Sequence, residues 1–480
     1  MSLSSASLGI VEPSPAGTSW FPSNNSDEAS RRKKDSSNQR HLMRSHEPKS
    51  VLLFASKLGY QTRAFDAAAR RLGVRLFYVT DRCHELTNPW GDDALAVRFD
   101  APEHAAARAL GEFRKRNFTG ILALGDRPAV AAAYTARGMG LRGNHPVAVE
   151  ACHNKLRSRE IFRDAGLPTP WFRTVPLTPQ PEPALLGIHY PCVIKPLSLS
   201  ASQGVMRADN REEFLAGSER LRHLFERPEL RTQRESDFSH ALVEEYLPGI
   251  EVAMEGILVD GELKVLAIFD KPDPLEGPYF EETIYAVPSR LPAESLRAVR
   301  RTAENAIRAI GLAHGPVHAE FRINKRGIWP IEVAPRPIGG LCARALEFQC
   351  PDHENLISLE ELILRDAVGE DISRWEREQL ASGVMMIPVP SSGVLERVYG
   401  VEEAQRVRGV TEVEITARLH DAILAWPEGS SYLGFIFAKG ETGKEVEEAL
   451  RSAHSRLRFT IRETLPIQDP ITGKFLNSQS

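Results

Sequence analysis

The chain lacks the features that mark secreted, membrane-spanning and disulfide-stabilised proteins. Its 480 residues include five Cys, which form no CxxC pair and no regular spacing. This pattern argues against a zinc site or a disulfide framework and favours reduced thiols. No apolar run approaches the length of a membrane span, and the N-terminus has no basic segment followed by an apolar one. We therefore expect a cytoplasmic protein without a membrane partner.

Two common nucleotide-binding motifs are also absent. Gly59 follows the first predicted strand, but no GxGxxG fingerprint accompanies it, which disfavours a dinucleotide site. The absence of GxxxxGK[ST] excludes a Walker loop. The formal net charge of −4 gives no reason to expect nucleic acid as a partner. A hydrophobic content of 42% is ordinary for a globular protein, and the length allows roughly two to four domains.

Composition and periodicity divide the chain into four regions. Residues 1–48 are rich in Ser, Pro, Asn and charge, so they are expected to form a disordered tail. Residues 49–146 alternate short apolar strands with helical patterns, which predicts an α/β domain with a parallel sheet. Residues 147–375 are expected to form an α+β domain with much antiparallel sheet. Residues 376–480 are expected to form a smaller α+β packing domain.

The most informative local pattern is a predicted hairpin that opposes two carboxylates. The strands that carry Glu320 and Glu332 are separated by the turn-like residues 324–327, so both side chains can face the same way. Opposed carboxylates are expected where a cation neutralises them, and hard oxygen ligands suit Mg²⁺, with Mn²⁺ as the alternative ion. Arg336 follows, and its planar guanidinium suits a developing phosphate or carboxylate. The competing interpretation is a surface hairpin with two unrelated acids.

A lysine at a predicted strand end, followed by a loop of small residues, indicates a polyphosphate site. Lys195 ends the strand, and the hydroxyl-rich loop of residues 198–204 includes Ser202 and Gly204. The lysine supplies a point charge, while backbone N–H groups and hydroxyls of such a loop can close over phosphates. The alternatives are a solvated lysine and an exposed loop.

Another predicted strand has the features of an adenine-binding edge. The extended backbone of Glu244, Glu245, Tyr246 and Leu247 can offer an N–H and a C=O group to a purine, and the last two side chains add apolar surface. Glu251 lies close enough in sequence to reach ribose hydroxyls. Any edge strand would share this pattern, so it gains weight only in combination with the other segments.

Together with Lys155 on a predicted helix, these segments occur in an order that resembles the ATP-grasp superfamily of carboxylate–amine ligases. The resemblance covers roughly residues 50–480. Within the superfamily, Phe269–Lys271, Glu282 and residues 432–438 resemble the L-amino acid ligase branch. That branch includes bacterial dipeptide ligases and the ligase domain of carnosine synthase.

The resemblance implies an ATP-grasp fold of mixed α/β and α+β type. Residues 49–146 would form the pre-ATP domain, residues 147–375 the nucleotide-binding and catalytic domain, and residues 376–480 the C-terminal α+β domain. The roles implied by position are phosphate binding by Lys155 and Lys195, nucleotide binding by Glu244, Glu245, Tyr246, Leu247 and Glu251, and Mg²⁺ binding by Glu320 and Glu332. Arg336 would stabilise the acyl phosphate or the tetrahedral intermediate, and Glu282 would contact the substrate, for example its amino group.

The sequence departs from the family pattern at three positions. Asn154 stands where the family commonly has Asp, and Ala334 stands where many members have an Asn that completes the metal site. Tyr285 occupies a position where some dipeptide ligases carry His. The first two departures bear on the nucleotide and metal sites, and the third bears on the choice of substrate.

The implied activity is ATP-dependent formation of an amide. ATP would phosphorylate a substrate carboxylate, and an amine would attack the acyl phosphate to release the amide, ADP and phosphate. The expected substrates are small carboxylates and amines, with amino acids foremost, and a homodimer is allowed. Two alternatives stay open: a carboxylase-type or carbamoyl-phosphate-type enzyme that activates bicarbonate, and a nucleotide-binding protein without catalysis.

Overall fold

A computed structural model of the chain describes residues 48–56, 60–81, 93–177, 187–231, 236–463, 467–468 and 475–476. Residues 1–47, on which the predicted disordered tail falls, lie outside the described residues. Among the described residues, no helix is both long enough and apolar enough to cross a bilayer.

The first described region is a parallel sheet flanked by helices. Its elements are β1 (Ser50–Ala55), α1 (Tyr60–Leu72), β2 (Arg75–Thr80), β3 (Ala94–Ala96), α2 (Pro102–Phe113), β4 (Gly120–Leu124) and α3 (Asp126–Met139). The strand order is β3-β2-β1-β4, and every pairing is parallel. This confirms the predicted parallel sheet. Because α3 begins directly after β4, its first residue, Asp126, lies at the strand end where open α/β sheets bind ligands.

A smaller antiparallel sheet carries the predicted phosphate and adenine segments. The elements of this region are α4 (Pro146–His153), α5 (Lys155–Asp164), β5 (Phe172–Pro176), β6 (Cys192–Pro196), β7 (Met206–Ala208), α6 (Arg211–Phe225), α7 (Pro228–Arg231) and β8 (His240–Glu245). The strand order is β5-β8-β6-β7. Apolar side chains of the sheet, including Ile194 and Val243, pack with Phe214 of α6. The sheet therefore holds Lys195 and Glu244 on adjacent, well-packed strands.

The middle of the chain adds a hairpin-rich region around a long helix. Its elements are β9 (Ile250–Val259), β10 (Glu262–Lys271), β11 (Ile284–Val287), α8 (Ala293–Ile310), β12 (Gly315–Asn324), β13 (Gly327–Ala334), β14 (Glu347–Cys350), β15 (His353–Ser358), α9 (Leu359–Ala367) and β16 (Glu376–Arg377). The turn between β9 and β10 consists of Asp260 and Gly261, both with positive φ, as a tight two-residue hairpin requires. This turn joins the two strands into the β9–β10 hairpin.

Part of the last region extends the sheet of the middle region, and another part forms a separate three-stranded sheet. Its elements are β17 (Ala381–Ile387), β18 (Gly393–Tyr399), α10 (Val401–Gln405), β19 (Val410–Ile415), β20 (Ala422–Ile423), β21 (Gly434–Gly440), α11 (Gly443–His454), β22 (Arg458–Arg462), β23 (Ile467–Gln468) and β24 (Phe475–Leu476). Eight strands form one sheet in the order β13-β12-β9-β10-β11-β17-β21-β19. β11 and β17 pair directly, so the sheet crosses the predicted domain boundary near residue 375 without a break.

A shared apolar core holds the parallel sheet against the large sheet. Phe54 of β1, Ile307 of α8 and Phe321 of β12 belong to one cluster of buried side chains. The burial of apolar surface is the dominant favourable contribution to the free energy of folding. The strand ends of the parallel sheet are therefore held in a fixed position relative to the β12–β13 hairpin.

Candidate active site

Residues from all of these regions line one cavity of about 300 Å³. The cavity is lined by every predicted site residue except Gly204, namely Lys155, Lys195, Ser202, Glu244, Glu245, Tyr246, Leu247, Glu251, Glu282, Glu320, Glu332 and Arg336. The backbone N–H of Gly204 instead donates to the carbonyl of Pro427, 2.9 Å away. Segments that are far apart in sequence therefore converge on a single site.

At one end of the cavity, a buried carboxylate holds two cations. Glu244 forms ion pairs with Lys195 and Arg159, and the Arg159 Nε to Glu244 Oε2 distance is 2.9 Å. Burial alone would raise the pKa of Glu244, but the charges of Arg159 and Lys195 outweigh it and set the pKa at about 2. The side chain of Glu244 is thus fully engaged, and it fixes the lysine that the sequence assigns to phosphate.

The loop after β6 is held by Lys155, the other predicted phosphate ligand. The Lys155 ammonium donates to the carbonyl of Leu199, and its backbone N–H donates to the carbonyl of Leu197 at 2.9 Å. Within the loop, Ala201 and Ser202 have φ values of 55° and 53°. Residues other than glycine rarely adopt this backbone conformation. The loop therefore depends on contacts from outside it to keep its shape.

The predicted adenine segment borders an apolar patch. The rings of Tyr246 and Phe280 lie 6.4 Å apart and cluster with Leu275. The N–H of Tyr246 donates to the carbonyl of Pro191, whereas no described residue accepts the N–H of Leu247. This leaves one backbone donor beside an apolar surface, which is part of what the predicted adenine site needs. Glu245 also belongs to the predicted adenine segment. Its carboxylate pairs with Arg326 at 2.8 Å, and the Glu245 side chain is partly exposed.

A buried lysine joins three carboxylates that line the cavity. The Lys271 Nζ lies 2.7 Å from Glu251 and 2.9 Å from Glu320, and it also bonds to Glu282. Burial lowers the pKa of Lys271, but the three carboxylates outweigh burial and hold the pKa well above its ordinary value. One oxygen from each of these acids lies within 4.8 Å of the others. Three carboxylates therefore converge on one buried lysine, which offsets part of their charge.

The predicted substrate acid in that cluster has a raised pKa. Burial raises the pKa of Glu282 to about 7, with added repulsion from Glu320 and Glu251 that Lys271 only partly offsets. The hydroxyl of Tyr285 donates to the second oxygen of Glu282 at 2.7 Å. Glu282 therefore pairs with a basic neighbour, Lys271, and it also lines the cavity.

A buried histidine lies next to the predicted metal-binding acids. The His318 ring bonds to Glu255 through Nδ1, and its Nε2 lies 3.4 Å from Glu320. Burial lowers the pKa of His318, but the neighbouring carboxylates outweigh it and raise the pKa to about 9. The imidazolium thus remains charged at neutral pH and stabilises Glu320 as a carboxylate.

The β12–β13 hairpin pairs Glu320 directly with Glu332, as predicted from the sequence. Arg336 follows the hairpin, and its Nη2 lies 3.7 Å from Glu332. The same guanidinium donates to both oxygens of Asp126 in the parallel sheet region. Burial raises the pKa of Asp126, but Arg336 outweighs it, so the pKa lies below its ordinary value. Both members of the pair are therefore charged at the cavity wall.

The C-terminal region also contributes to the cavity. Met386 of β17 and the consecutive residues Ser430, Ser431 and Tyr432 line it, together with Cys342. The sequence pattern had predicted a packing domain here, with no site residue. The lining here lacks a basic side chain and combines hydroxyl, thioether and aromatic groups.

The residues that hold the predicted ligands in place were not among the predicted site residues. Arg159, Lys271, His318 and Asp126 each bond to a predicted site residue. A local signal existed for Asp126, because it follows a buried strand directly, and for Lys271, because it ends an apolar strand. Their partners lie far away in sequence, so spacing alone could not identify them.

Comparison with known protein families identifies the class of fold. A model of the ATP-grasp domain matches residues 188–345, and a model of the L-amino acid ligase C-terminal domain 2 matches residues 385–462. The chain therefore contains an ATP-grasp domain followed by an L-amino acid ligase C-terminal domain, and the ATP-grasp fold predicted from the sequence is confirmed.

Individual relatives agree with this assignment. The structure of an L-amino acid ligase from Bacillus licheniformis matches 87% of this chain and 100% of its own, with a TM-score of 0.71 and 26% identity. Alanine–anticapsin ligase from Bacillus amyloliquefaciens is 29% identical over 43% of this chain and 46% of its own length. Carnosine synthase 1 from Gallus gallus is 28% identical over 64% of this chain and 34% of its own. The chain thus spans about half or less of the length of these two curated relatives.

Proposed function

We propose that the protein is an ATP-dependent carboxylate–amine ligase that forms an amide, of dipeptide type, through an acyl phosphate. The observation that carries this proposal is the single cavity in which lysines and the loop of residues 198–204 face Glu320, Glu332 and Arg336. The two matched domains support the same class of reaction. Such a cavity brings a nucleotide, a carboxylate and an amine within reach of one another.

The nucleotide would occupy the end of the cavity that carries the cations and the apolar patch. Lys155 and Lys195 would offset phosphate charge, and Ser202 offers a hydroxyl from the loop. The Leu247 N–H is the backbone donor left for adenine, with Tyr246 providing apolar surface. Glu251 lines the same cavity, but its two oxygens already accept from Lys271 and Arg322, so a ribose hydroxyl would have to share them.

The donor set at the other end fits Mg²⁺, with Mn²⁺ as a possible substitute. Glu320 and Glu332 are directly paired carboxylates at the cavity wall, and hard divalent cations prefer such oxygen ligands. When bound, the ion would neutralise phosphate charge. Lys271 and His318 already hold Glu320 in place, which leaves Glu332 as the more accessible of the two ligands.

In the reaction, a substrate carboxylate oxygen attacks the γ-phosphorus of ATP, and the bond to the β-phosphate oxygen breaks to release ADP. An amine nitrogen then attacks the acyl carbon, loses a proton, and displaces inorganic phosphate. Arg336, fixed by Asp126, can stabilise the negative charge that develops on the acyl oxygen. Its position at the cavity wall is the reason for assigning it this role.

We propose amino acids as the substrates. Glu282 offers a carboxylate for a substrate ammonium, while Arg336 faces negative charge, which suits a zwitterion. The names of two relatives refer to alanine and to L-amino acids as the compounds joined. A cytoplasmic location and assembly as a homodimer remain predictions.

The test is an incubation of the full chain with ATP, Mg²⁺ and pairs of amino acids. We expect ADP and phosphate to accumulate only with a productive pair, together with a product whose mass equals the two amino acids minus water. Predominant AMP would contradict acyl-phosphate chemistry. ADP release that depends on bicarbonate instead of amino acids would favour the carboxylase alternative, and no turnover with any pair would favour nucleotide binding alone.

A further inference from the structure

A segment of the C-terminal region covers the loop that faces the nucleotide end of the cavity. We name residues 198–204 the phosphate loop and residues 426–428 the closing segment. We propose that Trp426 of the closing segment is a positioning residue that holds the phosphate loop shut, and so keeps water away from the acyl phosphate. This inference rests on the proposed ligase function, to which it adds a role for the C-terminal region.

Each residue of the closing segment makes a hydrogen bond to the phosphate loop. The indole Nε1 of Trp426 donates to the carbonyl of Ala201 at 3.2 Å. The backbone N–H of Gly204 donates to the carbonyl of Pro427 at 2.9 Å, and the side-chain amide of Gln203 donates to the carbonyl of Glu428 at 2.8 Å. Three consecutive residues therefore bind one side of a seven-residue loop.

The closing segment is itself attached to the domain that carries the loop. The carboxylate of Glu428 pairs with Arg220 of α6, whose Nη2 lies 2.9 Å from Oε2. Arg220 also donates to the hydroxyl of Tyr279. The closing segment thus bridges the C-terminal region and the small sheet, and it borders the cavity from outside.

The phosphate loop needs such support because of its backbone conformation. Ala201 and Ser202 both occupy the left-handed region, which is unfavourable for residues with a Cβ. Contacts from outside must therefore stabilise this conformation. Ser200 and Ser202 of the loop line the cavity, so the same contacts determine where these hydroxyls lie.

Trp426 also contacts the substrate end of the cavity. Its side chain is buried, with 6% of the residue exposed. Its ring lies 5.0 Å from that of Tyr432, which lines the cavity. A single side chain therefore contacts both the loop over the nucleotide and the wall beside the substrates. Trp426 therefore links closure of the phosphate loop to completion of the substrate pocket.

Closure of the phosphate loop determines whether water or the amine accepts the acyl group. If the loop opens while the acyl phosphate is present, water attacks the acyl carbon and releases the free carboxylate and phosphate without an amide. A loop that stays shut excludes water and leaves the amine as the acceptor. The ratio of phosphate released to amide formed therefore reports on closure directly.

The test uses Trp426→Phe, which removes the indole N–H and keeps an aromatic ring in the core. Hydrogen exchange of residues 198–204 in the nucleotide-free chain should become faster by about threefold to tenfold, the factor expected for the loss of one ordinary hydrogen bond. With a productive substrate pair, the phosphate-to-amide ratio should rise severalfold. Trp329→Phe is the matched control, because it removes an indole bond to Asn324 on the β12–β13 turn.

A second variant keeps the proposal testable if Trp426→Phe does not fold. Gln203→Leu removes the bond to Glu428 from the loop side and should also accelerate exchange of the loop. Unchanged exchange and an unchanged phosphate-to-amide ratio in folded variants would overturn the role of Trp426. The exchange measurement needs no turnover, so it separates a failure of this proposal from a failure of the proposed ligase activity.

Discussion

Asp126 and Arg336 are 210 positions apart in sequence and are joined by two hydrogen bonds of 2.7 and 3.3 Å. The carboxylate begins the helix after β4 of the parallel sheet, and the guanidinium follows the β12–β13 hairpin of the large sheet. The N-terminal region thus orients the group that we assign to the acyl oxygen. Under the proposed function, this contact would let the parallel sheet position the guanidinium that acts on the acyl oxygen.

The first prediction concerns this pair. Asp126→Asn removes the charge that orients Arg336, and misplacement of a catalytic group is expected to lower kcat by about tenfold to a hundredfold. The KM for ATP should change much less, because the nucleotide end is intact. Steady-state kinetics provide the measurement. Asp100→Asn, which breaks the exposed pair with Arg98 in the same region, should leave kcat unchanged; equal effects of both variants would contradict the assignment.

The second prediction concerns the paired acids of the hairpin. Glu332→Gln should keep the fold and lose most phosphoryl transfer, because a neutral amide is a poorer ligand for Mg²⁺ than a carboxylate. ADP formation measured over a range of Mg²⁺ concentrations should show a requirement shifted to higher concentrations. Glu294→Gln on the exposed start of α8 is the control. Normal turnover of Glu332→Gln at ordinary Mg²⁺ would remove this residue from the metal site.

The third prediction concerns substrate recognition. A charged contact between Glu282 and a substrate ammonium is worth roughly 1.5–3 kcal/mol, or about one to two orders of magnitude in affinity. Glu282→Gln should therefore raise the KM for an amino-acid substrate far more than the KM for ATP. The neighbouring Glu281, a described residue that does not line the cavity, provides the matched Glu281→Gln control. If every substrate constant stayed the same, Glu282 would serve only as a partner of Lys271.

The fourth prediction concerns how the stability of the protein depends on pH. Burial would raise the pKa of Glu244, yet Arg159 and Lys195 set it at about 2, below the ordinary value of 4.5. The stability that the charged carboxylate contributes is therefore complete above about pH 4.5 and is lost as the pH falls towards 2. At neutral pH, Glu244→Gln leaves two buried cations without their partner, so it should reduce the free energy of unfolding by about 3–5 kcal/mol.

Chemical denaturation at several pH values checks this prediction. The difference between the original protein and Glu244→Gln should be largest near neutrality and should shrink below pH 4.5. Glu245→Gln is the control, because its partly exposed pair with Arg326 is worth about 1 kcal/mol or less. A constant difference across the whole pH range would show that the charge of Glu244 is not the source of the effect.

The sequence was most informative where structure follows from neighbouring residues. The alternation of apolar strands and helices predicted the parallel sheet, because each element repeats with its own period. The turn of residues 324–327 predicted that Glu320 and Glu332 would face each other, and the register confirms it. Both predictions depend on residues close together in the chain.

Contacts between distant segments could not be predicted in this way. Lys271 and Glu320 are 49 residues apart and meet only because β9 lies between β10 and β12 in the large sheet. Trp426 reaches Ala201 across 225 positions. Nothing in the local spacing of either residue indicates its partner, because the order of strands in a sheet is a property of the whole fold.

The direct pairing of β11 with β17 limits how this protein can be divided or recombined. A fragment that stops near residue 375 would leave the backbone groups of Ile284–Val287 exposed on one side as an open sheet edge, and such edges promote association between chains. Chimeras that exchange C-terminal regions among relatives would therefore need to transfer β11 together with β17, or to preserve the matching register of Tyr285 and Val384.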